Sequence, residues 1–190
     1  MKDLDTICPA NQSEWREWLL KNHQTKQSIW VIYHKKETKI PSMSWSDAVD
    51  EALCFGWIDS TRKTIDSQKF IQLFSKRKAQ STWSKINKEK IKKLVAAGSI
   101  TKAGLEIIEI AKQNGSWTIL DTVEELLIPD DLEKAFDANQ NSKSYFLSLN
   151  KSTKKAILQW LVLAKRAETR QKRIIEIAEL AAKKQKPKQF

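Results

Sequence analysis

Residues 29–33, Ile-Trp-Val-Ile-Tyr, form an unbroken run of β-branched and aromatic side chains. Such a run has no polar face. It favours an inner strand of a sheet, covered on both sides. The rest of the chain must supply that cover. Four Gly and four Pro in 190 residues are too few for a protein built of turns, so the cover is expected to be helical.

The flanking sequence fits. Residues 9–22 place Trp15, Trp18 and Leu19 at i, i+3 and i+4 behind a cap at Asn11 or Ser13. Ser44-Trp45-Ser46-Asp47 resembles a capping box. The helix after it places Trp45, Ala48, Val49, Ala52 and Leu53 on one face, with Gly56 as its stop. Trp57 to Ser60 leaves as a second extended segment, Arg62 to Gln68 reads as a polar turn, and residues 69–75 as a third strand. From Ser81 the chain turns helical. Trp83, Ile86, Asn87, Lys90, Ile91, Leu94 and Val95 follow the helical period up to Gly98, and a further helix spans about Thr101 to Asn114.

Residues 118–128 fit either a short helix or an irregular crossing. Pro129 with Asp130 and Asp131 opens a helix that reaches about Ala138. Residues 142–149 suggest a short helix with Tyr145, Phe146 and Leu149. Ser152 is placed as the cap of the next, with Ala156, Ile157, Trp160, Leu161 and Ala164 facing inward. The last starts near Ala167 or Glu168 with Ile174, Ile177, Ala178 and Ala181 inside, and the basic tail after it is expected to fray. The expected class is α+β. A small antiparallel sheet of two to three strands packs on helices in the N-terminal half, and the C-terminal half is helical. The expected domains are 1–117 and 118–190.

Charge is distributed in blocks. The net is −2 over residues 1–60, +10 over 61–102, −6 over 103–150 and +9 over 151–190, giving +11 in all. Two basic blocks can attract phosphate or anionic lipid, or simply solvate helix surfaces. Cys8 and Cys54 are too few for a disulfide framework or a zinc set. His23 and His34 lack metal-ligand spacing, so no metal or cofactor is expected. No nucleophile elbow supports Ser or Cys catalysis. The first residues lack an apolar leader segment and no run approaches a bilayer span, so the expected address is the cytoplasm.

One stretch concentrates candidate chemistry. Asp59 follows the Gly56-Trp57 helix exit and could pair with Lys63 or Arg77. Arg77 and Lys78, followed by Ser81, Trp83, Ser84 and Asn87, form a basic loop entering a helix start, where guanidinium, hydroxyls and backbone N–H groups can hold an anion. The competing reading is that the serines are caps and the tryptophans core. Lys165, Arg166, Arg170, Lys172 and Arg173 form a second basic cluster. Thr169-Arg170 could instead fix a helix junction by bonding to backbone carbonyls or to acids in 121–137.

Four segments of the N-terminal half resemble a known family: ALCFGWID (52–59), KFIQLFSKRK (69–78), STWSKIN (81–87) and LVAAGSITKAGLE (94–106). In the C-terminal half the resemblance rests on Pro129, Asp131-Leu132, Ala135-Phe136, Phe146, Leu149, Ser152, Lys155, Trp160, Ala164-Lys165, Thr169-Arg170 and Arg173-Ile174. The family is that of YdeI/OmpD-associated, or bacteriocin-protection, proteins. Lys76 departs from its pattern, standing where the family carries Pro. The resemblance implies protection against bacteriocins or cationic peptides, without a defined catalytic set, through an unknown protein partner or an anionic small molecule. Two alternatives stand beside it. One is a nucleic-acid-binding module using residues 62–93 and 151–188. The other is an enzyme with a pocket near Trp57, Asp59, Arg77 and Trp83.

Overall fold

The computed structural model describes residues 5–190; Met1 to Leu4, the start of the segment read for a leader, lie outside them. The chain divides into two compact units, one ending at Trp117 and the other spanning Thr118–Phe190. The first is α+β and the second helical.

The first unit is built on a sheet of four strands in the order β1-β2-β4-β3. Strand β2 (Ser28–His34) pairs antiparallel with β4 (Lys69–Lys76), and β4 pairs antiparallel with β3 (Trp57–Thr64). The sheet gains one strand over the sequence reading, β1 (Thr6–Ile7), which adds a two-residue parallel edge to β2. Ile29, Val31 and Tyr33 are buried while Trp30 and Ile32, on the opposite face, are half-buried. One face of the apolar run is therefore fully covered, not both. The polar turn expected at 62–68 is shorter: Arg62, Lys63 and Thr64 pair with β4 as strand. Their exposed side chains hid the pairing of their backbone. Lys76 donates its backbone N–H to the Gln27 carbonyl at 3.0 Å, a bond that proline at this position could not make.

Helices α1 (Gln12–Asn22) and α2 (Trp45–Cys54) cover the buried face. Asn11 caps α1 through Glu14 N–H, and Ser44 caps α2 through Asp47 N–H. Trp15 is buried and donates its indole N–H to the Ala48 carbonyl at 3.0 Å. Arg16 and Glu51 add an ion pair at 2.6 Å. Ala48, Val49, Ala52 and Leu53 turn inward, but Trp45 is 50% exposed. It stands at the first helical position, beyond the edge of the covered face, and its indole N–H is held by Asp59 at 3.0 Å.

Helix α3 (Lys85–Ala96) begins four residues later than the periodicity suggested, with Ser84 as its cap. Trp83 precedes it and is core, Ile91 is its one buried side chain, and Ile86 and Val95 face solvent. Helix α4 (Lys102–Gln113) is capped by Thr101. The Thr101 hydroxyl also donates to the Cys54 carbonyl at 2.7 Å, across 47 positions of sequence. Gly104 makes this junction possible. A Cβ there would lie 2.4 Å from the Cys54 oxygen.

In the second unit the ambiguous segment holds a single helical turn, α5 (Asp121–Glu124). Then come α6 (Asp130–Asp137), α7 (Ser142–Ser148), α8 (Lys151–Val162) and α9 (Ala167–Ala182). Leu132, Phe136, Phe146, Ile157, Leu158, Leu161, Ile174 and Ile177 close its core. Asn150, not Ser152, caps α8; Ser152 donates its own hydroxyl to Asn150. Trp160 is half-buried, and Leu158 takes the inner place assigned to it. The tail does not fray. Gln185 N–H bonds Leu180 carbonyl at 2.8 Å, Pro187 is buried, and Phe190 sets its ring edge-on to Trp160 at 5.8 Å.

Candidate functional site

Gly56 ends α2 with φ of +72°, and that left-handed turn aims the chain into β3. Just past the end of β4, Arg77 N–H bonds the Gly56 carbonyl at 2.9 Å. The helix exit and the end of β4 are thereby pinned together. Between them and α4 lies a cleft of about 320 Å³, with Phe55, Trp57, Arg77, His23 and Ile107 on its walls.

Arg77 is 7% exposed. Its guanidinium lies 3.6 Å from the Trp83 ring centroid, and Nη1 donates to the Thr82 carbonyl at 3.1 Å. Nε is enclosed without a partner. Among the described residues no carboxylate forms an ion pair with it. Burial pushes the Arg77 pKa down to about 10, partly opposed by the charge of Asp59. The Trp57 indole N–H is likewise enclosed and unpartnered. An unmet buried donor costs about 1–3 kcal/mol, and a buried cation without its counter-ion costs more. Lys76 adds a second positive charge to the rim, and Glu106 a negative one. His23 Nδ1 lies 2.8 Å from the Leu19 carbonyl. An acceptor there requires the Nδ1–H form and leaves Nε2 unassigned.

The other residues singled out in the sequence take separate places. Asp59 pairs with neither Lys63 nor Arg77. Its Oδ2 accepts from Trp45 Nε1 at 3.0 Å and from Gln72 Nε2 at 3.3 Å. Lys63 lies over the Trp30 ring at 5.1 Å. The Ser81 hydroxyl accepts from Lys78 N–H within a turn, and the Ser84 hydroxyl accepts from Asn87 N–H as the α3 cap. Of the eight, Arg77 meets Trp83, Lys78 meets Ser81 and Ser84 meets Asn87 through local backbone bonds, and only Arg77 lines the cleft. The α4 wall was not foreseen. Its signal was Ala103-Gly104, two small residues where a helix meets another backbone.

In the second basic cluster Arg170 forks onto Asp131 at 2.6 and 2.8 Å. This holds the Asp131 carboxyl below the usual carboxylate range, chiefly by hydrogen bonding. Arg173 donates to the Trp160 carbonyl and lies 4.7 Å from that ring's centroid. Lys165 and Arg166 are exposed. Arg170 and Arg173 are thus engaged within their own unit, joining α6, α8 and α9. Among the described residues no group of three His, Cys, Asp or Glu is placed to hold a metal, and no helix is long and apolar enough to cross a membrane.

Residues 7–107, just over half of the chain, match the model of a domain of unknown function, DUF8412. Residues 125–184 match a second model, described as "Bacteriocin-protection, YdeI or OmpD-Associated". No curated protein and no solved structure matches significantly.

Proposed function

Because the chain belongs to the DUF8412 family through residues 7–107 and to the YdeI/OmpD-associated, bacteriocin-protection family through residues 125–184, we propose that it serves a protective role by binding a small anion beside Arg77. The observation that carries this reading is a guanidinium 7% exposed that lines a cleft and forms no ion pair among the described residues. A fold gains nothing from such a charge by itself. An oxyanion or carboxylate entering the cleft supplies the missing counter-charge in a place where water screens it poorly. The volume suits a small metabolite better than a peptide.

Net charge argues in the same direction. At +11 the chain repels a cationic peptide at long range, so protection through a bound anion, or through a partner that reads the bound state, is favoured over direct capture. The nucleic-acid reading loses support in residues 62–93, where the single tryptophan, Trp83, is buried and offers no face for base stacking.

The test is thermal unfolding with sulfate, phosphate, pyrophosphate and citrate, each titrated against chloride at constant ionic strength. At least one should raise Tm saturably. Arg77→Met should abolish the rise, and Lys78→Met should leave it. A response to none of them, or an equal response in Arg77→Met, refutes the proposal.

A further inference from the structure

A second cleft, of about 420 Å³, opens at the other end of β2 between the strand and the start of α2. Four features make it unlike an ordinary surface groove. Tyr33 lies on its lining, 2% exposed, with its hydroxyl enclosed and unpartnered. His34 Nδ1 beside it is also enclosed without a partner. Phe70 stacks on Tyr33 at 4.9 Å with planes 5° apart, and the Arg62 guanidinium sits 3.8 Å from the Phe70 ring centroid. Finally, Trp45 leaves half its indole in solvent yet has its ring N–H tied to Asp59. An exposed ring held in one orientation is a preformed wall.

Arg62 reaches this place because of a fault in the ladder. Asp59 pairs with Phe74, but Arg62 pairs with Gln72, so β3 carries one extra residue between them. A bulge of this kind changes which side chains fall on a given face. Here it puts Arg62 on the face of Gln72 and Phe70. Lys35 and Lys36 also line the cleft, against one acid, Glu37. Ser44, the α2 cap, and Trp45 at the first position of that ten-residue helix bring the positive end of a helix dipole to the lining. Asp47 in the same turn opposes this charge, and its own N–H is taken by Ser44. Lys35 Nζ donates to the Asp66 carbonyl at 3.0 Å, so Lys36 and Arg62 are the lining cations assigned to a ligand.

We propose that this cleft binds a small molecule that combines a flat unsaturated ring with a carboxylate or phosphate. The ring lies along Trp45, and the anionic oxygens meet Arg62, Lys36 and the start of α2. The buried hydroxyl of Tyr33 and the ring nitrogen of His34 are the polar groups such a ligand, or the water it brings, would satisfy. The proposal is independent of the anion site at Arg77, which has other walls.

The experiment is a ¹H–¹⁵N titration that follows the Trp45 indole cross-peak, assigned with Trp45→Phe. The probes are 4-hydroxybenzoate and adenosine monophosphate, with inorganic phosphate (charge without ring) and indole (ring without charge) as controls. At least one ring-bearing anion should shift the Trp45 peak saturably, and neither control should do so in the same range. Arg62→Gln should weaken binding by about tenfold or more, the loss expected for a charge-assisted bond. Tyr33→Phe should weaken it by about threefold or more while leaving Tm unchanged or raised, since it removes an unmet buried hydroxyl. Arg77→Met should not alter it, which separates this site from the first. If no ring-bearing anion moves the peak, if phosphate alone moves it equally, or if Arg62→Gln binds as wild type does, the proposal is wrong.

Discussion

Replacing Arg77 by methionine should leave the protein about as stable as before. For a side chain that is 7% exposed this is an unusual expectation. Truncating a buried residue ordinarily costs about 2–5 kcal/mol, and unpairing a buried ion about 3–5 kcal/mol. Arg77 differs because the folded state already carries a penalty for it. A pKa lowered from 12.5 to about 10 corresponds to about 3 kcal/mol against the charged form. Against this stand one bond to Thr82, worth about 1.5–3 kcal/mol to a charged donor, and the cation–ring contact with Trp83, worth about 1–2 kcal/mol. Methionine recovers much of the latter, because a thioether also packs well on an aromatic ring. Gains and losses then cancel to within about 1 kcal/mol, or a shift of about 4 °C in Tm. The guanidinium is charged in both folded and unfolded states below pH 10, so the balance should not change between pH 6 and 8. Urea unfolding followed by tryptophan fluorescence suits the measurement, since seven of the eight tryptophans lie at or before residue 117. A loss of about 3 kcal/mol or more would refute the reasoning, because Arg77 would then be a net source of stability.

Three other expectations concern the rest of the chain. Asp131 has its pKa lowered by Arg170, so its contribution is present above its unfolded value of about 4 and is lost as pH falls through the folded value. Asp131→Asn should destabilise the second unit by about 1 kcal/mol at pH 7, a modest figure because the carboxylate is partly solvated. The difference from wild type should shrink progressively as pH falls below about 4 in circular-dichroism melts. Burial pushes the Cys54 thiol up to about 11, whereas Cys8 is exposed. Iodoacetamide at pH 8 should therefore modify one thiol in the native protein, at Cys8, and two after unfolding, as read by mass spectrometry. Gly104→Ala should cost about 2 kcal/mol or more because its Cβ strikes the Cys54 carbonyl. Gly98→Ala, with φ of +65° and open space around it, should cost about 1 kcal/mol. Parallel urea titrations would distinguish the two.

These residues also mark how far sequence reasoning reaches. Helices α2, α4, α6 and α9 were legible because each buries a regular stripe, and α2 and α4 also begin at recognisable caps. Strand β1 was not, since two residues carry no period. The outer half of β3 was missed because backbone pairing leaves no trace in exposed polar side chains. Trp45 was misplaced because periodicity fixes an angle around the helix axis but not whether a neighbour is present at that height. The nearness of Trp57 and Arg77 was within reach, as both stood out locally. Their cleft was not, because its far wall depends on a junction across 47 positions.

That junction has one more consequence. Cys54 and Thr101 are the two ends of a long excursion that contains the β3–β4 hairpin and α3, and the Thr101 hydroxyl draws them together. The Arg77 cleft sits at this neck, with Phe55, Gly56 and Trp57 from one end of the loop and Ala103 and Ile107 just past the other. A small anion seated there would act as a clasp. It would touch both ends of the loop at once, and its binding energy would add to the closure of the lobe as a whole.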